Sequence, residues 1–185
     1  MTAKLLQGPS EKPRQSHGRL ARLIEDRQAQ GKLISTLGEL AHSEGLGLLA
    51  AHRQLERLAP GVVQIPGRPS FFLTVPPEHR PRGAPPLDAW FHDYMKLRVP
   101  HYYIGLLSAA ALHGSSSQAP MVTQVVVSQP VRSFRLGRLK IEFVTKRNTD
   151  RTPLSTLPGL AAPLNVSTPA ATLLDLISFG RRIGG

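Results

Sequence analysis

The sequence of 185 residues predicts an α+β protein, an N-terminal winged helix-turn-helix followed by a mixed α/β domain. Three observations carry this. Between residues 17 and 76 the local signals run helix, short strand, helix, helix, strand, turn, strand. A stretch with five prolines, PPEHRPRGAPP at 76–86, interrupts the pattern. Beyond it an almost wholly apolar segment, HYYIGLLSAAALHG at 101–114, precedes two strand-like runs and a last apolar helix. The expected division is a flexible basic lead at 1–16, the winged helix at 17–76, a semi-rigid linker at 77–86 and the α/β domain at 87–185.

The elements follow in order. HGRLARLIEDRQAQG places Leu20, Leu23 and Ile24 on one helical face, and Gly31 is suited to end it. Lys32 to Ile34 reads as a short strand. Thr36 and Glu39 have the spacing of a capping box, which would start a short helix closed near Gly45. A helix at about 47–59 carries Leu48, Ala51, Leu55 and Leu58 on one stripe, and Pro60-Gly61 stops it. Val62–Ile65 and Phe71–Val75 are strand-like around the turn-rich PGRPS. Helices are expected at Leu87–Arg98 and His101–His113, the latter as a buried central helix. Strands are expected at Val122–Ser128 and Leu139–Lys146, with the basic turn PVRSFRLGR between them. A loop-rich stretch, TPLSTLPGLAAPLNVSTP, leads into a helix at Pro169–Phe179 that Thr168 or Ser167 would cap.

Composition narrows the function classes. No run of apolar residues is long enough for a membrane span, and MTAKLLQGPSEKPRQ lacks the apolar core of a signal peptide. With no cysteine, disulfides, thiol nucleophiles and cysteine zinc sites drop out. A soluble cytoplasmic protein is expected. Its formal net charge of +11 points to a polyanionic partner. Residues 101–185 carry nine basic and three acidic side chains, so most of the excess lies in the second half.

Two basic features could use that charge. On the helix at 47–59 the face opposite the apolar stripe centres on Arg53 and Arg57, flanked by Leu49 and Gln54. In a helix-turn-helix this face enters the major groove, where arginine can fork onto guanine or pair with phosphate. Arg68 at the wing tip would meet the neighbouring backbone or minor groove. Glu56 opposes this, because a carboxylate repels phosphate. The second feature is the evenly spaced Arg132, Arg135 and Arg138 with Lys140 beyond, a cationic ridge for DNA backbone or for an acidic partner surface.

Enzyme signatures are thin. Nucleophile-elbow, phosphate-loop and zinc-protease motifs are absent. Only Glu142, Asp150 and Asp175 lie in 101–185, too dispersed to hold the Mg²⁺ of nucleotidyl transfer. His113-Gly114-Ser115 has the form of a nucleotidyltransferase entry turn, but no Asp-x-Asp follows, and a capping or core-edge histidine explains it as well. Trp90, Tyr102 and Tyr103 read as core. Asp175, inside TLLDLIS, would pair with a basic group or face solvent. Neither catalytic residues nor a metal or cofactor is expected.

The run HYYIGLLSAAALHG, the later RLKIEFV and then NVSTPAATLLDLI resemble the AbiEi-type antitoxins of bacterial toxin–antitoxin and abortive-infection systems. Tyr102, Tyr103, Leu106, Ala109, Ala110, His113 and Gly114 carry the first motif; Val166, Ser167, Pro169, Thr172, Leu174 and Asp175 carry the last. The resemblance spans about 18–183. It implies a non-enzymatic regulator whose winged helix binds inverted repeats in the promoter of its own operon. It also implies a second domain that counters a nucleotidyltransferase-like toxin. The family continues past Arg182-Ile183-Gly184-Gly185 with further helices, which implies an incomplete second domain. The alternative is a protein-interaction module whose basic second domain docks an acidic partner, DNA binding being incidental.

Overall fold

The structure, a computed structural model, describes residues 16–115, 121–158 and 162–183. The lead at 1–15 lies outside them. Helix α1 spans Ser16–Ala29, strand β1 Ile34–Thr36, and helix α2 Leu37–Ser43. The capping box forms: Thr36 Oγ1 accepts from the Glu39 amide at 3.2 Å, and the Glu39 carboxylate accepts from the Thr36 amide at 3.4 Å. Helix α3 covers Leu48–Glu56, then strands β2, Val62–Gln64, and β3, Phe71–Thr74. The three strands form one antiparallel sheet in the order β1-β3-β2. Leu20, Ile24, Leu40, Leu55, Val62 and Phe72 pack between it and the helices.

Helix α3 is shorter than its periodicity suggests. Its last turn tightens, with the Leu58 amide bonding the Leu55 carbonyl and Ala59 the Glu56 carbonyl, and Pro60 has no amide to continue. Leu48, expected on the core stripe, is 59% exposed. It opens the first turn after Gly47, and the buried residues of the helix are Ala51 and Leu55.

The proline-rich stretch is folded. Pro77–Arg82 forms a 3₁₀ helix, Leu87–Ala89 another, and α4 runs Phe91–Lys96 where a longer helix was expected. Gly83, at φ +76°, lies against Gly137, and the Arg138 amide bonds the Arg82 carbonyl at 3.1 Å. Leu33, Leu73 and Val75 of the first half share one core with Trp90, Tyr94, Tyr102 and Ile141 of the second.

The larger sheet has six strands in the order β6-β7-β5-β4-β9-β8: β4 Tyr102–Ile104, β5 Thr123–Val127, β6 Phe134–Leu136, β7 Leu139–Thr145, β8 Leu154–Leu157 and β9 Leu164–Ser167. Pairing is parallel for β5–β7 and β4–β9, antiparallel elsewhere. The central helix expected at His101–His113 is a strand and a shorter helix, α5, Leu106–Leu112. Strand β4 is buried on both faces, Tyr102 toward the Trp90 cluster and Tyr103 toward α6, Pro169–Ile183. A strand covered on both sides has no polar alternation and reads as a buried helix. The switch occurs at Gly105, where a Cβ would stand 2.8 Å from Val126 Cγ2. Leu106 follows at φ +56°, a left-handed conformation held by complete burial. Strands β6, β8 and β9 fall where the sequence pattern predicts a turn and a loop-rich stretch. Each has three or four residues, and prolines at 153, 158 and 163 interrupt the strand signal.

Two outcomes follow from the shared core and the Gly83–Gly137 contact. Urea unfolding followed by Trp90 fluorescence and by far-ultraviolet circular dichroism is expected to superimpose as one transition. A Cβ on Gly137 meets the Arg82 carbonyl, so Gly137→Ala is expected to lower stability by about 2 kcal/mol, measured from the urea midpoint.

Candidate nucleic-acid interface and a buried ion pair

The outer face of α3 presents Leu49, 65% exposed, and Arg53, one turn further on the same side. Arg57, at the C-cap, is also exposed and engages a neighbour. Gln54 turns inward, its Oε1 buried without a partner. His52 packs edge-on against Phe72 at 5.7 Å and lies 3.6 Å from Glu56. Gln64 Nε2 donates to the Pro69 carbonyl at 2.8 Å and approaches His52 Nε2 at 3.4 Å, tying the β2–β3 loop to α3. The fold therefore gathers Leu49, Arg53 and Arg57 on one open side of the first half.

Arg68 does not join them. Bonds from the Arg68 amide to Ile65 and from Phe71 to the Arg68 carbonyl, each 3.0 Å, fold the loop back on itself. Gly67 turns it at φ +70°, and Arg68 ends half-buried beside Tyr94 rather than at a free tip. Burial pushes the Tyr94 phenol up, against the opposing pull of Arg98 and Arg68.

The four ridge cations are all exposed. Arg135 and Lys140 stand directly opposite each other across β6 and β7, rimming an open groove with Ser133, Phe134 and Ile141. Lys140 is partly neutralised by Glu142 at 2.7 Å. Arg138 sits at the hairpin turn over Arg82, and Arg132 approaches Gly67 of the β2–β3 loop. The ridge is thus three separate positions along one hairpin rather than a continuous row.

Polar chemistry in the second half centres on Asp175, which is 2% exposed within α6. Its Oδ1 accepts from Lys146 Nζ at 2.7 Å and its Oδ2 from the Tyr103 hydroxyl at 2.7 Å. Lys146 also donates to Thr152 at 3.1 Å. Of the two alternatives open for Asp175, pairing is the one realised, and the partner comes from the Lys146 that ends the Leu139–Lys146 run. Burial and the Asp175 carboxylate both raise the Tyr103 phenol, so it stays protonated as the donor. Burial, then Asp93, raises Tyr102, whose hydroxyl lies 2.7 Å from His92 Nδ1. Burial and Lys96 lower His92, so the neutral imidazole accepts from the phenol. His113 bonds the Ser167 carbonyl through Nε2 at 2.6 Å, and Ser167 Oγ lies 2.7 Å from Thr172 Oγ1. These contacts lock α5 and β9 to α6 and leave His113 with a structural task. Among the described residues no three His, Asp or Glu side chains converge on a metal position.

Residues 103–185 match the family model of the AbiEi antitoxin C-terminal domain. The match covers both motifs quoted above except Tyr102, and this part of the chain is similar to that domain. It supports an antitoxin role and a toxin as partner in general. No curated protein matches the chain significantly. Among the described residues no helix is long and apolar enough to cross a membrane.

Removing the cation strands a buried carboxylate, so Lys146→Met is expected to cost about 3 kcal/mol in urea unfolding, with Asp175→Asn losing less. The three tyrosines, the chain's full complement, all have raised pKa values. The unfolded chain would release phenolic protons near pH 10 while the folded chain holds them. Stability is therefore full below about pH 10 and falls above it, with phenolate absorbance appearing only as the protein unfolds.

Proposed function

We propose that the chain is a DNA-binding antitoxin that represses its own operon and counters a nucleotidyltransferase-like toxin. In this reading residues 17–76 act as a winged helix-turn-helix on duplex DNA with inverted repeats, and 87–185 form the antitoxin domain. The observation that carries it is α3, anchored by Ala51 and Leu55 while Leu49, Arg53 and Arg57 stand exposed on its other side. It sits ahead of a domain with the AbiEi signature. Arginine can read guanine from that face, and Leu49 can meet a thymine methyl. The regulator needs no catalysis or cofactor, and the operon it would control places it in the cytoplasm.

A second reading, an interaction module for an acidic partner, draws on the exposed Arg132, Arg135, Arg138 and Lys140. The bare face of α6, where Leu173, Leu174 and Ile177 are 60–72% exposed, also favours it. A salt-titrated mobility shift comparing the promoter with a scrambled duplex separates the two. Promoter preference of about 10³-fold is expected for a specific repressor, and a steep salt slope without preference removes it. Arg53→Ala is expected to weaken promoter binding by about 1–3 kcal/mol where the side chain reads a base. Unchanged affinity in both Arg53→Ala and Arg57→Ala would rule out α3 as the recognition helix.

A further inference from the structure

Helix α6 has no charged outer face. Between Pro169 and Gly180 its one charged residue is Asp175, which is buried against Lys146. Leu173 and Ile177 lie on the side opposite Asp175, one turn apart. A helix that is apolar all round is ordinarily covered all round, yet Leu173, Leu174 and Ile177 stand in solvent. On one flank, Leu176 and Phe179 are half-buried around Val126, and Val144 of β7 packs into the same cluster. Val144 also lines the open groove at the β6–β7 hairpin, a hollow of about 380 Å³. It thereby joins the groove to the flank of α6.

Charge enters from the far side of that groove. Lys140, Glu142 and Val144 alternate onto one face of β7, and Arg135 stands opposite Lys140 across the hairpin. Lys140 lies four residues before Val144, about 13 Å along the strand. Arg135 and Lys140 are both exposed, and Glu142 is the single carboxylate of the lining. An uncharged helix face thus borders a hollow whose other rim is cationic.

We propose that α6 and this groove dock an acidic amphipathic helix of a partner protein. Apolar side chains of that helix cover Leu173 and Ile177, one large side chain fills the groove, and carboxylates meet Arg135 and Lys140. Charge disfavours a second copy of this chain, since each copy carries a formal +11 and brings the same rim cations. Shape disfavours an anionic bilayer, whose flat surface leaves a hollow between helix and hairpin empty. The inference rests on the second reading above, an acidic protein partner, and holds whether or not α3 reads DNA.

The probe is a labelled helical peptide of about 18 residues, with leucines at i, i+3, i+4 and i+7 and glutamates elsewhere. Its anisotropy is followed as the full chain is added, and a second peptide carries lysine for every glutamate. Leu173→Ser, Ile177→Ser and Arg135→Gln, all at exposed positions, are compared after their urea midpoints establish folding. The acidic peptide is expected to saturate, with the lysine peptide at least tenfold weaker. Leu173→Ser and Ile177→Ser each lose about tenfold in affinity for the acidic peptide. Arg135→Gln loses about threefold and flattens the chloride dependence. Equal binding of the two peptides overturns the proposal. Parent-like affinity in both α6 variants, with Arg135→Gln weakened, overturns the docking surface and leaves the acidic-partner reading standing. No saturation by the acidic peptide overturns both. A dimer of the parent chain in analytical ultracentrifugation that Ile177→Ser abolishes makes the occupant a second copy and also defeats the proposal. Binding to phosphatidylserine vesicles that Ile177→Ser abolishes defeats it in favour of a membrane.

Discussion

Trp90, Phe91 and Tyr94 fill the place where both sheets can be covered at once, and the remainder of the molecule is arranged around them. The ring of Phe71, from the smaller sheet, stands 5.5 Å from Tyr94, edge-on. Tyr102 and Phe134, from the larger sheet, close on Phe91 and Tyr94 at 5.8 and 5.9 Å. Edge-to-face contacts of this kind add about 0.5–1.5 kcal/mol each to the burial of the rings themselves. A three-stranded sheet backed by three short helices encloses little apolar volume, and small units of that size are marginal alone. Leu33, Leu73 and Val75 are covered because α4 lies over them. The first half thereby gains a core that its own helices do not supply.

This explains which parts of the fold could be read from residues. Local chemistry was legible. The Thr36–Glu39 box, the glycine stop at Gly31, the hairpin around PGRPS and the start of α6 at Pro169 all depend on near neighbours. Features decided by distant packing were not. Tyr102–Ile104 is a strand because Val125–Val127 and Val166 flank it, and nothing within HYYIGLLSAAALHG states that. Prolines at 76–86 signal a spacer when counted, yet Gly83 meeting Gly137 turns the same residues into a packed strap.

The site was legible to the same depth. Arg53 and Arg57 follow from helical phase alone, because a packed helix of known apolar stripe has a known outer face. The turn of Arg68 toward Tyr94 joins positions far apart in sequence, so periodicity carries no sign of it. The Lys146–Asp175 pair was half visible: an acid inside an apolar helix demands a partner, but only the sheet order brings the end of β7 beneath α6. The chemistry of a residue was readable, whereas its address was not.

The four outermost strands of the two sheets are short. Strands β1, β2 and β6 have three residues each and β8 has four. Pro153 precedes β8 and Pro158 follows it, and Arg135 projects from the middle of β6. The long valine-rich β5 lies inside the larger sheet, paired on both sides. Among the described residues, the sheet edges thus offer free backbone amides and carbonyls only in stretches too brief, and too charged or proline-bound, to template another chain. Backbone zippering between copies is suppressed even though the interior strands are rich in β-formers. Recognition of any macromolecule by this protein then falls to side chains on helix faces and hairpins, where identity is written residue by residue.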